Sequence, residues 1–387
     1  MRFGVDATGW NNRRGFGRFT RNAVTRLVER DRDAEYVLVV DRATAASGGL
    51  PTSASLRIVD TSGAAVYAAA EGSHRALVDV VRLARASRAE RLDALLFPSL
   101  YTWYPALRTP SVVGIHDTIA DDLPDLALPG RRERTLWRAK QRLAVRRADR
   151  VFAVSEASRA AVSRRHGLRS DAVMVVPEAP DPIFSPRPAE LVDDARAEIG
   201  APREYLLYAG GISPHKNVVG LVDAYAMLVE AVPAAPSLVL VGSLETESFA
   251  SAAKAVRERV SRTRLEDRVL LPGFVADETL ARLYSGAVAV VNPSLAEGFG
   301  IPAVEAAACG AALVLSDLAA HRESLGDAAL FVPAGDTVAL ASALEEILGD
   351  EPLRQTLAQR ATLAVAGRTW DSAADALSVL LREAARR

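Results

Sequence analysis

The sequence predicts an α/β fold with two doubly wound, parallel-sheet domains. Short and almost wholly apolar runs recur along the chain, and most of them are followed by a helical stretch. Such runs are typical of strands buried on both faces, and their alternation with helices indicates parallel sheets. The pattern stops between residues 177 and 202, where six prolines crowd the chain, and it restarts at residue 205. A chain of 387 residues also suits two domains of about 100–200 residues each.

The predicted strands form two sets. After a first strand at the N-terminus, the apolar runs are residues 36–40, 94–97, 111–115, 151–154 and 173–176, and then 205–209, 237–241, 269–271, 288–291, 312–315 and 329–332. The proline-rich stretch is interpreted as a linker, which predicts domains at residues 1–182 and 183–369. A last helix within residues 370–387 is expected to pack back on the first domain. We expect a cleft between the domains, where the carboxyl ends of the strands meet.

Composition excludes several classes of protein. Hydrophobic residues make up 49% of the chain and charged residues 25%, which is typical of a globular protein and not of a disordered one. The single cysteine, Cys309, excludes an internal disulfide framework and a zinc site with several thiolate ligands. The five histidines lie far apart in the sequence, so no metal site is expected. No signal pattern and no apolar run of about 20 residues is found, which favours a cytoplasmic protein.

The charge is unevenly distributed along the chain. Residues 1–182 contain 29 Lys and Arg against 21 Asp and Glu, a balance of +8, whereas residues 183–387 contain 18 against 27, a balance of −9. The two halves are therefore expected either to meet different partners or to differ only by drift in surface charge.

The segment EGFGIPAVE carries the strongest chemical signal, and it follows the predicted strand 288–291. Gly298 and Gly300 let the backbone approach a ligand closely, and free N–H groups at the start of the next helix suit a diphosphate. Glu297 precedes the helix and Glu305 lies in its first turns, so the two carboxylates are expected to reach opposite ends of a bound molecule. Carboxylates accept hydrogen bonds from hydroxyls, so a sugar at one end and a ribose at the other would fit. The alternative is a glycine-rich turn with two solvated acids.

A second segment, YAGGISPHKN, also joins a strand end to a helix. Asn217 is expected to cap that helix. Lys216 is one of only three lysines in the chain, and a lysine at a helix entrance is a point charge suited to a phosphate. The alternative is an ordinary surface lysine in a polar turn.

Two segments of the first half show weaker signals. Gly15 and Gly17 form a short Gly-x-Gly before a helix, which indicates either a phosphate cradle or a plain turn. The segment lacks the third glycine of a dinucleotide fingerprint, so no nicotinamide site is predicted. His116 and Asp117 follow the buried strand 111–115, which places them on the expected cleft. The alternative is a histidine with a purely structural role.

Together, these segments resemble the GT-B glycosyltransferases of family 4, which retain the anomeric configuration, and within them a mannosyltransferase-like subgroup. The resemblance extends over nearly the whole chain and keeps the family's order of motifs: the glycine loop, the His-Asp segment, the Gly-Gly-x-x-x-x-Lys-Asn segment and the E-x7-E segment. It implies two Rossmann-like domains, with the C-terminal helix crossing back to the first. It also implies transfer of a sugar from a nucleotide-diphosphate donor to an acceptor hydroxyl.

The resemblance implies a role for each residue. Glu297 would hold the hydroxyls of the donor sugar, Glu305 the nucleotide ribose and Lys216 the leaving diphosphate. His116 would lie beside the donor sugar and the reacting carbon, and it is counted with Glu297 and Lys216 as catalytic. The other donor-binding residues implied are Gly17, Gly211, Val275, Gly298, Phe299, Gly300 and Ile301, and the acceptor-side residues are Gly15, Arg18 and Asp117. Many family members have an arginine at the place of Gly211, so the diphosphate would be met by Lys216 with less arginine help, or by an arginine such as Arg18.

The family chemistry implies no metal and no cofactor, because lysine and backbone dipoles would stabilise the charge that builds on the leaving phosphate. The subgroup favours GDP-mannose as the donor, and UDP-sugars remain open. The acceptor is expected to be a glycan, a lipid-linked molecule or a natural product, with polysaccharide biosynthesis as one setting. The one Asp-x-Asp sequence, at residues 31–33, is interpreted as solvated surface.

Residues 130–150 contain nine Lys or Arg residues. Leu136, Trp137, Ala139, Leu143 and Ala144 are interleaved with them at roughly helical spacing. This stretch is either an ordinary arginine-rich helix or a face for anionic lipid or a lipid-diphosphate acceptor, at the inner side of a membrane. Nucleic acid is a poorer partner, since aromatic residues make up only 6% of the chain and no basic-aromatic platform is found.

Two other functions remain open. A sugar-nucleotide epimerase of GT-B shape would turn over the donor without an acceptor. A non-catalytic nucleotide or sugar binder would use an inherited scaffold, although Lys216, Glu297 and Glu305 argue against it.

Overall fold

The computed structural model describes residues 1–12, 14–63, 75–128, 130–243 and 251–386. This described chain divides into two compact units: unit 1 contains residues 1–178 and 369–386, and unit 2 contains the described residues from 179 to 368. Unit 1 ends its first segment at residue 178, four residues before the boundary expected after residue 182. The residues that follow pack within unit 2, since the ring of Phe184 lies 5.9 Å from that of Tyr284.

Unit 1 contains a seven-stranded sheet in its described residues, with the order β3-β2-β1-β4-β5-β6-β7 and every pair parallel. Its strands are β1 (Arg2–Asp6), β2 (Glu35–Asp41), β3 (Ser55–Val59), β4 (Ala94–Phe97), β5 (Ser111–Gly114), β6 (Arg150–Ala153) and β7 (Val173–Val175). The strand order changes direction between β1 and β4, which is the switch point of a doubly wound sheet.

Unit 2 repeats this architecture with six strands in its described part, in the parallel order β10-β9-β8-β11-β12-β13. These are β8 (Tyr205–Ala209), β9 (Ser237–Val241), β10 (Val269–Gly273), β11 (Ala289–Asn292), β12 (Leu313–Ser316) and β13 (Leu330–Val332). Its switch point lies between β8 and β11. The predicted fold class, α/β with two Rossmann-like parallel-sheet domains, is therefore confirmed.

The helices cover the faces of the two sheets. Those in the first part of the chain are α1 (Gly15–Arg30), α2 (Arg42–Ser47), α3 (Leu77–Ala89), α4 (Ile119–Asp122), α5 (Pro124–Ala127), α6 (Arg131–Arg147) and α7 (Glu156–His166). Unit 2 has α8 (Ala189–Ile199), α9 (Val218–Ala231), α10 (Ala253–Arg262), α11 (Asp277–Gly286), α12 (Ile301–Ala308), α13 (Ala319–Leu325), α14 (Thr337–Gly349) and α15 (Glu351–Val365), and α16 (Trp370–Ala385) follows in unit 1.

Two elements were not expected from the sequence. Helix α8 lies inside the stretch interpreted as a linker, between Pro188 at its N-cap and Pro202, and it packs on α11. Strand β3 was missed because four of its five residues are exposed, so it lacks the continuous apolar run of a buried strand.

Helix α16 packs against α1 within unit 1. The Arg382 guanidinium forms a two-pronged ion pair with Asp31, with Nη1–Oδ2 and Nη2–Oδ1 distances of 2.6 and 2.7 Å. The interpretation of residues 31–33 as solvated surface is therefore wrong for Asp31, whose side chain is 8% exposed, although Asp33 is exposed. Hydrogen bonds from Arg382, Tyr36 and Ser378 outweigh burial and lower the pKa of Asp31 to about 2.

Candidate functional site

The two strands beside the switch point of unit 2 carry the two strongest sequence motifs. Strand β8 is followed by Gly210-Gly211 and the turn that contains Lys216, and β11 is followed by the segment that contains Glu297. Parallel strands end at the same edge of a sheet, and ligands of doubly wound folds bind at the switch point. The two loops are also joined directly, because the N–H of Leu295 donates to the carbonyl of His215 at 2.7 Å.

Lys216 and Glu297 form an ion pair at this edge. The Nζ of Lys216 lies 2.6 Å from Oε1 of Glu297, and the two side chains are 16% and 7% exposed. Ser294 Oγ lies 2.8 Å from the same carboxylate oxygen and 2.6 Å from Oδ1 of the buried Asn292. The Glu297 carboxylate is thus held by the Lys216 ammonium and by the Ser294 hydroxyl in the turn after β11.

The Glu297 carboxylate is ionised at neutral pH. Burial raises its pKa, but the charge of Lys216 and the hydrogen bonds from Lys216 and Ser294 outweigh burial and lower the pKa to about 2. An ionised carboxylate accepts hydrogen bonds from hydroxyls, and the adjacent ammonium attracts anions. This pair therefore suits a ligand that carries both hydroxyls and a phosphate.

The turn after Glu297 leads directly into helix α12. Gly300 has a φ of +93°, a conformation that favours glycine, and Pro302 lies in the first turn as predicted. Gly298 is half-buried, whereas Phe299 and Ile301 are buried. Backbone N–H groups at such a helix start attract phosphate.

Of the remaining residues expected on the donor side, Gly17 lies in unit 1, and the others lie at other points of unit 2. Glu305 is on α12 and only 2% exposed, so the alternative of two solvated acids is wrong. Gly211 is exposed directly after β8, and its carbonyl accepts a hydrogen bond from Tyr208 Oη at 2.7 Å. Val275 is buried just beyond β10. Asn217 occupies the N-cap position of α9, but its side chain makes no capping hydrogen bond in the described structure, contrary to expectation.

In unit 1, His116 follows β5 and is held on both sides. Its Nε2 lies 2.8 Å from the Pro98 carbonyl and its Nδ1 3.8 Å from Oε1 of Glu178. Burial lowers the pKa of His116 to about 4, although the Pro98 hydrogen bond opposes this. The ring is therefore neutral at pH 7, with Nε2–H donating to the Pro98 carbonyl and a lone pair on Nδ1.

The other first-half candidates surround the start of α1 and the end of β5. Gly15 begins α1 and is exposed, Arg18 is partly exposed, and Gly17 is buried. A Cβ at Gly17 would overlap the carbonyl of Asn12, so this glycine is required by packing. Asp117 accepts a hydrogen bond from the N–H of Ile119 at 3.0 Å, which orders the start of α4.

Three residues of these sites were not predicted from the sequence. Ser294 and Glu178 each follow a strand closely, and that position is the only signal that could have found them. His321 is completely buried at the start of α13, close to Gly300. Its sequence neighbours give no sign of this position.

Among the described residues, no group of His, Cys, Asp and Glu side chains is arranged to hold a metal ion. The described part of the chain also contains no helix with the length and apolar character needed to cross a membrane.

Comparison with known families agrees with this geometry. The sequence profile "Glycosyltransferase Family 4" matches residues 13–182, and "Glycosyl transferases group 1" matches residues 192–364. The chain therefore carries two glycosyltransferase domains, one in each half. Among similar proteins, the O-antigen chain mannosyltransferase B of Escherichia coli is 30% identical over 57% of this chain. The match covers 57% of that relative, so the chain spans little more than half of its length.

Solved structures of glycosyltransferases share the fold. A sucrose-phosphate synthase from Thermosynechococcus elongatus superposes with a TM-score of 0.78 at 19% identity, over 99% of this chain and 98% of that one. The Anabaena protein HepE, solved with UDP and glucose, gives a TM-score of 0.75 at 20% identity, over 98% and 99% of the two chains. At these identities the likeness shows the GT-B fold.

Proposed function

We propose that the protein is a retaining glycosyltransferase that moves a sugar from a nucleotide-diphosphate donor to an acceptor hydroxyl. The observation that carries the proposal is the 2.6 Å contact between Lys216 and Glu297 at the switch point of unit 2. A mannosyltransferase relative favours GDP-mannose as the donor, and a UDP-sugar is the alternative, since a structure of the same fold holds UDP and glucose.

The proposed reaction breaks the bond between the anomeric carbon and the diphosphate. The electron pair of that bond goes to the phosphate oxygen, where Lys216 and the N–H groups at the start of α12 stabilise the charge as it develops. The acceptor oxygen attacks on the same face, and its proton passes to the leaving phosphate. Glu297 holds the sugar through its hydroxyls. The protein residues supply these interactions, so we propose that no metal and no cofactor is needed.

The other roles follow the family resemblance. Glu305 would bind the ribose, and Val275 would border the base. His116 is proposed to lie beside the donor sugar, with its neutral Nδ1 accepting a hydrogen bond from a hydroxyl. The further proposed contacts are Gly211, Gly298, Phe299, Gly300 and Ile301 for the donor, Gly17 for the diphosphate or acceptor, and Gly15, Arg18 and Asp117 for the acceptor.

The acceptor is proposed to be a glycan, a lipid-linked molecule or a natural product. Helix α6 supports the lipid-linked class, because Leu136 and Leu143 are 39% and 43% exposed on a helix with exposed arginines. Seven residues apart, the two leucines lie on one face. Such a face suits peripheral binding to an anionic membrane, at the cytoplasmic side.

Liposome flotation at low salt tests the membrane proposal. We expect binding to vesicles with anionic lipid and not to neutral vesicles, and weaker binding of a Leu136→Ser, Leu143→Ser variant. Leu363→Ser is the matched control, because Leu363 is 74% exposed on a helix of unit 2. Absence of binding to anionic vesicles would contradict the proposal.

The transferase proposal is tested by incubating the protein with GDP-mannose or UDP-glucose in the presence of EDTA, with and without a pool of candidate acceptors. We expect nucleoside diphosphate to be released only with acceptor, together with an α-linked product from an α-linked donor. Turnover of the donor sugar without acceptor would favour the epimerase, and donor binding without any turnover would favour the binder.

A further inference from the structure

His321 is a completely buried histidine beside the Lys216–Glu297 pair, and the function proposed above does not use it. It lies at the start of α13, just after β12, which pairs with β11. Its ring is close enough to Glu297 and Lys216 for the charge of each to act on it. His321 therefore belongs to the same edge of the sheet as the candidate donor site.

The hydrogen bonding of His321 fixes which ring nitrogen carries the proton. Nδ1 lies 2.9 Å from the carbonyl oxygen of Ser316, and a carbonyl only accepts, so Nδ1–H is the donor. Burial lowers the pKa of His321, against the opposing influence of Glu297, so the ring is neutral. Nε2 then carries a lone pair and has no hydrogen-bond partner among the described residues, although it is buried.

An unsatisfied buried acceptor is unfavourable and is rare in native structures. Gly300 is a close neighbour of the unpartnered Nε2 of His321. A Cβ at Gly300 would lie 2.8 Å from Cδ2 of His321 and 3.1 Å from Nε2. Nε2 therefore lies beside the glycine turn, and a side chain at residue 300 would clash with the imidazole ring.

The chemistry of Nε2 defines what it can bind. A neutral Nε2 only accepts hydrogen bonds, so the oxygens of an ionised phosphate or carboxylate are excluded as partners. A sugar hydroxyl is a suitable donor. We propose that His321 is a second sugar-recognition residue of the donor site, whose Nε2 accepts a hydrogen bond from a hydroxyl of the sugar to be transferred.

This inference rests on the proposed function, because it requires a nucleotide-sugar donor in unit 2. Nε2 is covered in the structure described here, so contact requires the turn at Gly298 and Gly300 to shift when the donor binds. Glu297 and His321 would then accept from two hydroxyls, while Lys216 meets the phosphate.

Calorimetric titration of paired ligands tests the inference. The probes are GDP and GDP-mannose, and UDP and UDP-glucose, with the wild type, His321→Phe and His321→Asn. Phe keeps a ring against Gly300 and removes both nitrogens, whereas Asn keeps a donor for the Ser316 carbonyl and removes Nε2. His166→Phe is the matched control, because its Nε2 is also buried and unpartnered among the described residues, but in unit 1.

We expect both His321 variants to weaken binding of the nucleotide sugar about tenfold and to leave binding of the bare nucleotide unchanged within about twofold. The control, His166→Phe, should change neither the affinity for the nucleotide sugar nor that for the bare nucleotide. Unchanged affinity for the nucleotide sugar in a folded His321 variant, or equal loss for nucleotide and nucleotide sugar, would overturn the inference while the proposed function stands. If the wild type binds no nucleotide sugar, both the inference about His321 and the proposed function are contradicted.

Discussion

The ammonium of Lys216 and the carboxylate of Glu297 are 2.6 Å apart, although they are separated by 81 residues in the sequence. Each follows a strand beside the switch point of the unit 2 sheet, and this topology brings them together. The positive charge of Lys216 and the negative charge of Glu297 neutralise each other without a ligand. A donor with a diphosphate and sugar hydroxyls would give each charged group a further partner.

Replacement of Lys216 by alanine should remove most activity. The leaving diphosphate would lose its cation, and loss of one such electrostatic contact lowers kcat about 10²- to 10³-fold. It would also leave the buried Glu297 carboxylate without its cation, so urea unfolding should show a loss of stability on the order of 3 kcal/mol. Lys254→Ala is the control, since Lys254 is 87% exposed. Near-normal turnover by folded Lys216→Ala would contradict the proposed role.

Replacement of Glu297 separates binding from transfer. Glu297→Ala should abolish transfer but leave nucleotide binding within about tenfold, or ~1.4 kcal/mol, because the nucleotide is held by other parts of the site. Calorimetry with the bare nucleotide and a transfer assay with the same preparation check this. A variant that retains full transfer would overturn the role of Glu297.

The stability that Glu297 contributes should depend on pH. Its folded-state pKa of about 2 is below the ordinary glutamate pKa of about 4.3, so the contribution is complete above the unfolded pKa and is lost as the pH falls toward 2. The difference in unfolding free energy between the wild type and Glu297→Gln should be constant from pH 5 to 8 and shrink below about pH 4.3. Glu278→Gln, on an exposed side chain, serves as the control. A difference that stays constant down to pH 3 would contradict the assignment.

The contact between α16 and α1 should depend on Arg382. Arg382→Ala should lower the free energy of unfolding by about 2 kcal/mol, because it leaves the mostly buried Asp31 carboxylate without its charged partner. Asp33→Asn, two residues from Asp31 but exposed, should change stability by no more than about 0.5 kcal/mol. Equal effects of the two variants in urea unfolding would show that the ion pair does not stabilise unit 1.

Gly17 should tolerate no side chain. Its Cα faces the carbonyl of Asn12 at the start of α1, so Gly17→Ala should destabilise the protein by about 1–3 kcal/mol through overpacking. Gly349→Ala is the control, because a Cβ there meets nothing within 4 Å. A Gly17→Ala variant as stable as the wild type, measured by thermal unfolding, would contradict the packing argument.

The buried strands could be predicted because their residues are apolar on both faces. Each predicted run overlaps a strand of the structure, whereas β3, with Arg57 and three other exposed residues, gave no such pattern. Lys216 could be selected because lysine is rare in this chain, and Glu297 because it precedes a glycine-rich turn and a helix; both lie in loops that follow a strand. Their separation of 2.6 Å could not be predicted, since it depends on the strand order of the sheet.

Residues whose role depends on distant partners were missed or misread. Asp31 is an ordinary surface acid in the sequence, but its partner Arg382 lies 351 residues away. His321 faces Gly300 only because β12 lies next to β11. Helix α8 was not predicted because prolines lie on either side of it, although Val192 and Ala195 give it a buried face.

The most direct measurement is a calorimetric titration of the wild type and Lys216→Ala with GDP, UDP, ADP and dTDP, first with EDTA and then with magnesium. The donor site proposed here predicts that one of the four nucleotides binds clearly better than the others in EDTA, that magnesium does not strengthen its binding, and that Lys216→Ala weakens it at least about tenfold. No binding in EDTA, or binding that does not depend on Lys216, would contradict a metal-independent nucleotide-sugar site at this edge of the sheet.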